Sequence, residues 1–223
     1  LRPYKLRIMP LPDFTIPDLP VAECLPRLRA VLGAQPNAVL VAPPGAGKTT
    51  CVPLALLDAA PMDRGRILML EPRRLAARAA ASRMAGLIGE KVGRTVGFRT
   101  RLESAVSSAT RIEVVTTGLL VRRLLGDPEL TGVSTVILDE IHERSLEADL
   151  ALALSLDAQA VLRPDLRLLA MSATLDGARL SAIMAAPIVE SAGRIHPVEI
   201  RHAARDIASP RDLPETMARA IRE

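Results

Sequence analysis

This chain of 223 residues is nearly devoid of aromatic side chains: it has no Trp, one Tyr and two Phe. A hydrophobic fraction of 49% must therefore be built from Leu, Val, Ile, Ala and Met. The same lack excludes one way of gripping nucleic acid, in which bases stack on a row of Phe or Tyr. A nucleic-acid partner would have to be held at phosphates and sugars by Arg, Lys, Thr and backbone N–H groups. Cysteine is scarce too. Cys24 and Cys51 stand alone, with no CxxC and no paired histidines. A disulfide framework and a zinc site are thereby disfavoured, and two buried thiols in a reducing cytosol are expected. No apolar run reaches membrane-spanning length and no signal peptide is evident. Leu1 in place of Met is expected of a processed or engineered chain. The net charge of +4 and pI of about 9.7 permit a polyanionic partner without demanding one.

Proline is plentiful at the start, with five in the first 20 residues and Pro26 just after. An extended arm without packed structure of its own is expected over 1–20. A short helix follows over 20–32. Strands and helices then alternate. Strands are expected over 38–41, 66–70, 95–101, 111–115, 133–138, 166–171 and 188–190. The helices run from 48 to about 58, 73 to about 88, then 118–125, 146–162 and 176–184. Apolar strands without alternation, each separated by a helix, predict an α/β fold with a mostly parallel sheet covered on both faces. After Gly193 the pattern changes: a strand over 196–202 and a helix over 213–222 read as a linker and the truncated start of a second domain. The division is thus an arm (1–20), a main domain (21–192) and the start of another (193–223).

The segment Ala42-Pro43-Pro44-Gly45-Ala46-Gly47-Lys48-Thr49 follows a strand and opens a helix, the context of a phosphate-cradling loop. Gly45 and Gly47 let the backbone aim N–H groups at phosphates, and the helix N-terminus adds its dipole. Pro44, Gly45, Ala46, Gly47, Lys48, Thr49 and Thr50 are therefore nucleotide-binding candidates. Lys48 would neutralise the β- and γ-phosphates of ATP, and Thr49 would hold Mg²⁺. Ala42 departs from the template's first glycine. Asp139-Glu140 comes 91 residues after Lys48, at the end of the apolar strand 133–138. Ligands of open α/β sheets bind at the carboxyl ends of strands, so both motifs open on one crevice. Asp139 would complete the metal shell with Thr49, and Glu140 would activate the attacking water. A helix N-cap is the plain alternative for an Asp-Glu pair, but it suits a buried strand poorly.

Asp139-Glu140-Ile141-His142-Glu143-Arg144 resembles the signature of the DEAH/RHA helicases of superfamily 2, with Ile for the usual Ala. Glu71-Pro72-Arg73-Arg74 is similar to motif Ia. Val96-Gly97-Phe98-Arg99-Thr100-Arg101 resembles the family's hairpin, Thr116-Thr117-Gly118 motif Ib and Ser172-Ala173-Thr174 motif III. The phrases around motifs Ia and III resemble the bacterial HrpB-type branch. The resemblance implies a RecA-like P-loop NTPase domain, part of an ATP-dependent RNA helicase and cytoplasmic. It implies RNA-backbone contacts at Arg73, Arg74, Arg101, Thr116 and Gly118, and coupling between sites through Ser172, Thr174 and His142. It also implies that Arg83 packs on the nucleotide base. For Arg73, Arg74 and Arg83 the alternative is a solvated helix arginine, and for His142 a structural one. Thr117 departs from the family's acidic residue.

The family's arginine fingers belong to a second RecA-like domain, in a Q-x-x-G-R-x-G-R segment absent here. Such fingers are worth about three to five orders of magnitude in rate in related NTPases. This chain is therefore expected to bind nucleotide weakly and to hydrolyse it barely. A DNA-directed helicase and a nucleotide-gated nucleic-acid-binding scaffold stay open as alternatives. A transporter ATPase is disfavoured, since no ABC-type signature is visible.

Overall fold

A computed structural model describes residues 14–59, 65–174, 177–193, 199 and 209–221. The order is a 3-10 turn (Pro20–Cys24), α1 (Leu25–Ala34), β1 (Asn37–Val41), α2 (Lys48–Leu56), β2 (Arg66–Leu70), α3 (Arg74–Leu87), β3 (Val96–Arg99), β4 (Ser104–Ala105) and β5 (Ile112–Val115). It continues with α4 (Thr117–Gly126), β6 (Val133–Leu138), a 3-10 turn (Ile141–Glu143), α5 (Leu146–Val161), β7 (Arg167–Ser172), α6 (Gly177–Met184), β8 (Ile188–Glu190) and α7 (Leu213–Ala220).

The strands form one sheet in the order β4-β3-β5-β2-β6-β7-β1-β8. Every pairing is parallel except that of β3 with β4. Successive side chains of a strand point to opposite faces, so apolar runs without alternation supply two cores at once. Leu40, Ile67, Met69, Ile137 and Leu169 face α1, α2 and α3. Val39, Leu68, Leu70, Val136, Leu138 and Leu168 face α4, α5 and α6. Fully burying one such side chain contributes about 1.5–3 kcal/mol. The two-faced core therefore fixes which strand ends meet at the sheet's carboxyl edge.

The differences from the sequence reading are local. The helix expected over 20–32 divides into the 3-10 turn and α1. Pro26 lies in the first turn of α1, where its missing N–H leaves no bond unmade. The strand expected over 95–101 stops at Arg99. Thr100 N–H then donates to Glu103 O (2.8 Å) and closes the turn of the hairpin that the resemblance implied; its second strand, β4, was not among the expected strands. Residues 14–19 carry no helix or strand, as an extended arm should. They are packed, however: Phe14, Ile16 and Leu19 lie against the first core. The segment 1–13, the strand expected over 196–202 apart from residue 199, and the start of the 176–184 helix lie outside the described residues.

Candidate active site

β1 delivers the phosphate loop to the carboxyl edge, and α2 begins at Lys48 without a side-chain cap. Gly47 sits at φ 95°, and a Cβ there would stand 2.8 Å from Leu19 Cδ1. The left-handed backbone therefore demands glycine, and a side chain there would also have to displace Leu19. Val21 N–H donates to Ala46 O (3.0 Å), so the 3-10 turn after the arm is also tied to the loop. Pro44 and Gly45 form the exposed crest, whereas Ala46 points inward and is buried. Thr50 lies in the first turn of α2, its N–H directed at Gly47 O (3.3 Å). Lys48 is 4% exposed, and its ammonium donates to Ala42 O (2.6 Å) and Pro43 O (3.2 Å). Burial lowers its pKa, against the opposing pull of Glu140 and Asp139.

β6 brings the carboxylate pair to the same edge. Asp139 is fully buried, and Thr49 Oγ1 donates to its Oδ2 at 2.6 Å. Glu140 N–H donates to Asp139 Oδ1 (2.9 Å). Burial pushes the Asp139 carboxyl up to about 6, and the Thr49 bond holds it back. A hydroxyl and a carboxylate this close make a hard-oxygen pair able to take Mg²⁺. Glu140 has φ 51° and Arg144 φ 53°, left-handed values that are costly for residues with a Cβ. They bracket the 3-10 turn of Ile141–Glu143, which Ile141 anchors in the second core.

His142 has two neighbours that exclude each other. Ala173 N–H donates to His142 Nδ1 at 3.3 Å, which needs a bare nitrogen. Glu140 Oε2 is also 3.3 Å from Nδ1, a contact that needs a proton there. The first contact uses Nδ1 as an acceptor and the second as a donor, so the ring makes one of them at a time. At the end of β7, Ser172 is buried and its carbonyl accepts Ala42 N–H (3.1 Å). Its Oγ accepts Thr174 N–H (3.1 Å) and lies 3.3 Å from Thr174 Oγ1. The Ser172-Ala173-Thr174 segment thus touches the phosphate loop on one side and His142 on the other.

The remaining candidates, Arg83 apart, follow the carboxyl ends of β2, β3 and β5. Arg73 and Arg74 are exposed at the start of α3, which has no side-chain cap and no acid in its first turn. Arg73 pairs with Glu143. Thr116 precedes α4, again with no side-chain cap. A Cβ added at Gly118 would meet nothing within 4 Å, so packing does not demand glycine there. Arg101 is exposed in the β3–β4 turn. Arg83 is exposed on α3, where its charge reaches Cys51 in α2.

The sequence reading passed over Glu71. Its carboxyl is buried at the end of β2 and is pushed up to about 7 by burial, then by the Asp139 charge. Arg73 N–H donates to it (3.3 Å) and opposes the shift. The signal was available: an acid at the carboxyl end of an apolar strand is the pattern that marks Asp139.

A family model for DEAD/DEAH box helicases matches residues 23–183. The ATP-dependent RNA helicase HrpB of Escherichia coli K12 is 57% identical over 186 residues, covering 83% of this chain and 23% of that protein. A human protein named putative ATP-dependent RNA helicase DHX57 is 43% identical over 160 residues, 70% of this chain and 12% of that one. The crystal structure of Escherichia coli DEAH/RHA helicase HrpB superposes with a TM-score of 0.82 at 50% identity, covering 92% of this chain and 27% of that chain. The chain thus spans 23% or less of the length of these two curated relatives.

Proposed function

We propose, from the premise that this chain belongs to the DEAD/DEAH box helicase family, that it is the ATP-binding motor domain of an ATP-dependent RNA helicase. The observation that carries this reading is the 2.6 Å hydrogen bond from Thr49 to Asp139. It joins the end of the phosphate loop to the buried strand carboxylate, where a nucleotide and its metal ion would be held together. Burial, with the Glu140 charge beside it, raises Asp139 to about 6, and its carboxylate next to the Thr49 hydroxyl is a hard-oxygen pair that suits Mg²⁺. When bound, the ion supplies charge neutralisation at the phosphates.

The chain's own groups divide the remaining work. Pro44 to Thr50 cradle the phosphates, and Lys48 exchanges its two carbonyl partners for phosphate oxygens. Glu140 accepts the proton of the attacking water as general base. Arg83 lies against the base. Ser172, Thr174 and His142 carry changes at the phosphate loop toward the carboxyl ends of β2, β3 and β5. RNA phosphates lie along Arg73, Arg74, Arg101, Thr116 and Gly118. Supporting this path, arginines at an uncapped helix N-terminus oppose the dipole unless an anion lies there. The open space at Gly118 leaves room for a backbone to approach closely.

Residues 21–192 form this RecA-like domain, and 193–223 are a linker and the start of a second one. α7 supports that division. Leu213, Met217 and Ile221 make an exposed apolar stripe at helical spacing, which needs a partner surface. The second domain would contribute the arginine fingers. Two free buried cysteines suit the cytoplasm, and among the described residues no helix is long and apolar enough to cross a membrane.

The test is ATP hydrolysis by the longer protein, with single-stranded RNA and DNA of equal length. RNA should stimulate turnover at least tenfold more than DNA, since backbone contacts to the 2′-OH separate the two. Stronger stimulation by DNA would favour a DNA-directed motor, equal stimulation would remove the RNA preference, and none by either would contradict the motor reading.

A further inference from the structure

The ion pair between Arg73 and Glu143 joins the two halves of the site across 70 residues of sequence. Arg73 belongs to the residues that we assign to RNA phosphates. Glu143 belongs to the turn that carries the water-activating carboxylate, and its N–H donates directly to Glu140 O (3.0 Å). We propose that Glu143 is a positioning residue that occupies Arg73 until a nucleic-acid phosphate takes that guanidinium, so that RNA binding is reported to Glu140 through the 140–144 turn. This rests on the reading of Arg73 given above.

Three features support it. The pair is easily opened: the Arg73 side chain is 72% exposed and that of Glu143 35%, so water and ions screen it. A phosphate is the stronger rival, because guanidinium binds it in a bidentate, charge-assisted way. The turn is also poised to respond. Its ends, Glu140 and Arg144, hold left-handed backbones that persist only while contacts over-determine them. The contacts that hold it include the Thr49–Asp139 and Glu140–Asp139 bonds at its start, Ile141 in the core, the Ala173–His142 bond, the Arg144–Asp149 pair (2.9 Å) and Arg73–Glu143. Arg73 is further steered by its own N–H, which donates to buried Glu71. The guanidinium therefore stands at a fixed root between two acids, and withdrawing it from Glu143 removes one of these restraints. Coupling of this kind is reciprocal, so nucleotide binding must alter RNA affinity by the factor with which RNA alters nucleotide binding.

The test measures binding of a labelled single-stranded RNA at fixed salt by the longer protein, as wild type, Glu143→Gln, Arg73→Ala and the double variant. ATP turnover against RNA concentration is recorded alongside. Glu143→Gln should bind RNA about two- to fivefold tighter, the release of one exposed ion pair. Its half-saturating RNA concentration should fall, and so should its maximal fold-stimulation. In the Arg73→Ala background the same substitution should leave RNA affinity unchanged. A merely structural role would weaken binding in both backgrounds. RNA affinity of Glu143→Gln no tighter than wild type, or equal tightening without Arg73, would overturn the proposal alone. A wild-type protein that binds no RNA would overturn the motor reading with it.

Discussion

At the phosphate loop and the end of β6, Lys48 and Asp139 are buried and hydrogen-bonded, whereas the arginines that follow β2 and β3, Arg73, Arg74 and Arg101, are exposed. Lys48 and Asp139 are almost sealed from water, each held by a short hydrogen bond. Arg74, Arg101 and Gly118 face solvent. The contrast follows the chemistry that each side suits. Buried charges act strongly because little water screens them, but they must be held by hydrogen bonds or they would be costly. A surface that takes and releases a polyanion needs exposed arginines and unsatisfied helix N–H groups, whose binding salt can tune. Arg73 and Glu143 are the place where the two regimes meet.

The contrast can be tested by breaking each side. Glu140→Gln, on the buried side, should cut ATP turnover of the longer protein by about two to four orders of magnitude, the usual contribution of a general base. Nucleotide affinity should be nearly unchanged; a loss of turnover below tenfold would remove Glu140 from the reaction. Arg73→Ala, on the exposed side, should weaken RNA binding of every sequence alike. It should also reduce the slope of log affinity against log salt by about one. An unchanged slope would mean that Arg73 meets no phosphate.

Glu71 gives the smallest effect and sharpens the contrast on the buried side. Its folded pKa of about 7 lies above its ordinary 4.5. The native chain therefore keeps a proton that the unfolded chain has released. Stability from this group is fully present below 4.5 and is lost as pH rises to about 7. A shift of that size is worth up to about 3 kcal/mol. Glu71→Gln mimics the protonated acid, so its Tm should exceed that of wild type by roughly 5 °C at pH 8 and match it at pH 4. Equal Tm at both pH values would show that Glu71 is not perturbed.

Much of this was legible in the sequence because the central strands are apolar blocks with sharp ends. The boundaries of β2, β6 and β8 coincide with the expected ones, and the motif residues fall at strand ends as the doubly covered sheet requires. What escaped depends on distant partners. β4 is two residues long and exists through its pairing with Phe98 and Arg99. Glu113 reads as an ordinary strand residue, yet it is buried among Arg66, Arg99 and Arg123, drawn from three elements. The packing of Leu19 against Gly47 cannot be read from a proline-rich composition. Nor can periodicity reveal that His142 chooses between Ala173 and Glu140, since the choice depends on where β7 ends.

The most direct measurement is titration of a fluorescent ATP analogue with Mg²⁺ into this chain and its Lys48→Ala variant. Removing one partner of a buried charged contact costs about 2–5 kcal/mol. Affinity should therefore fall about 30-fold or more in the variant, while its unfolding transition stays cooperative. Equal affinities for the two proteins would contradict a phosphate site at Lys48, and with it the proposed motor.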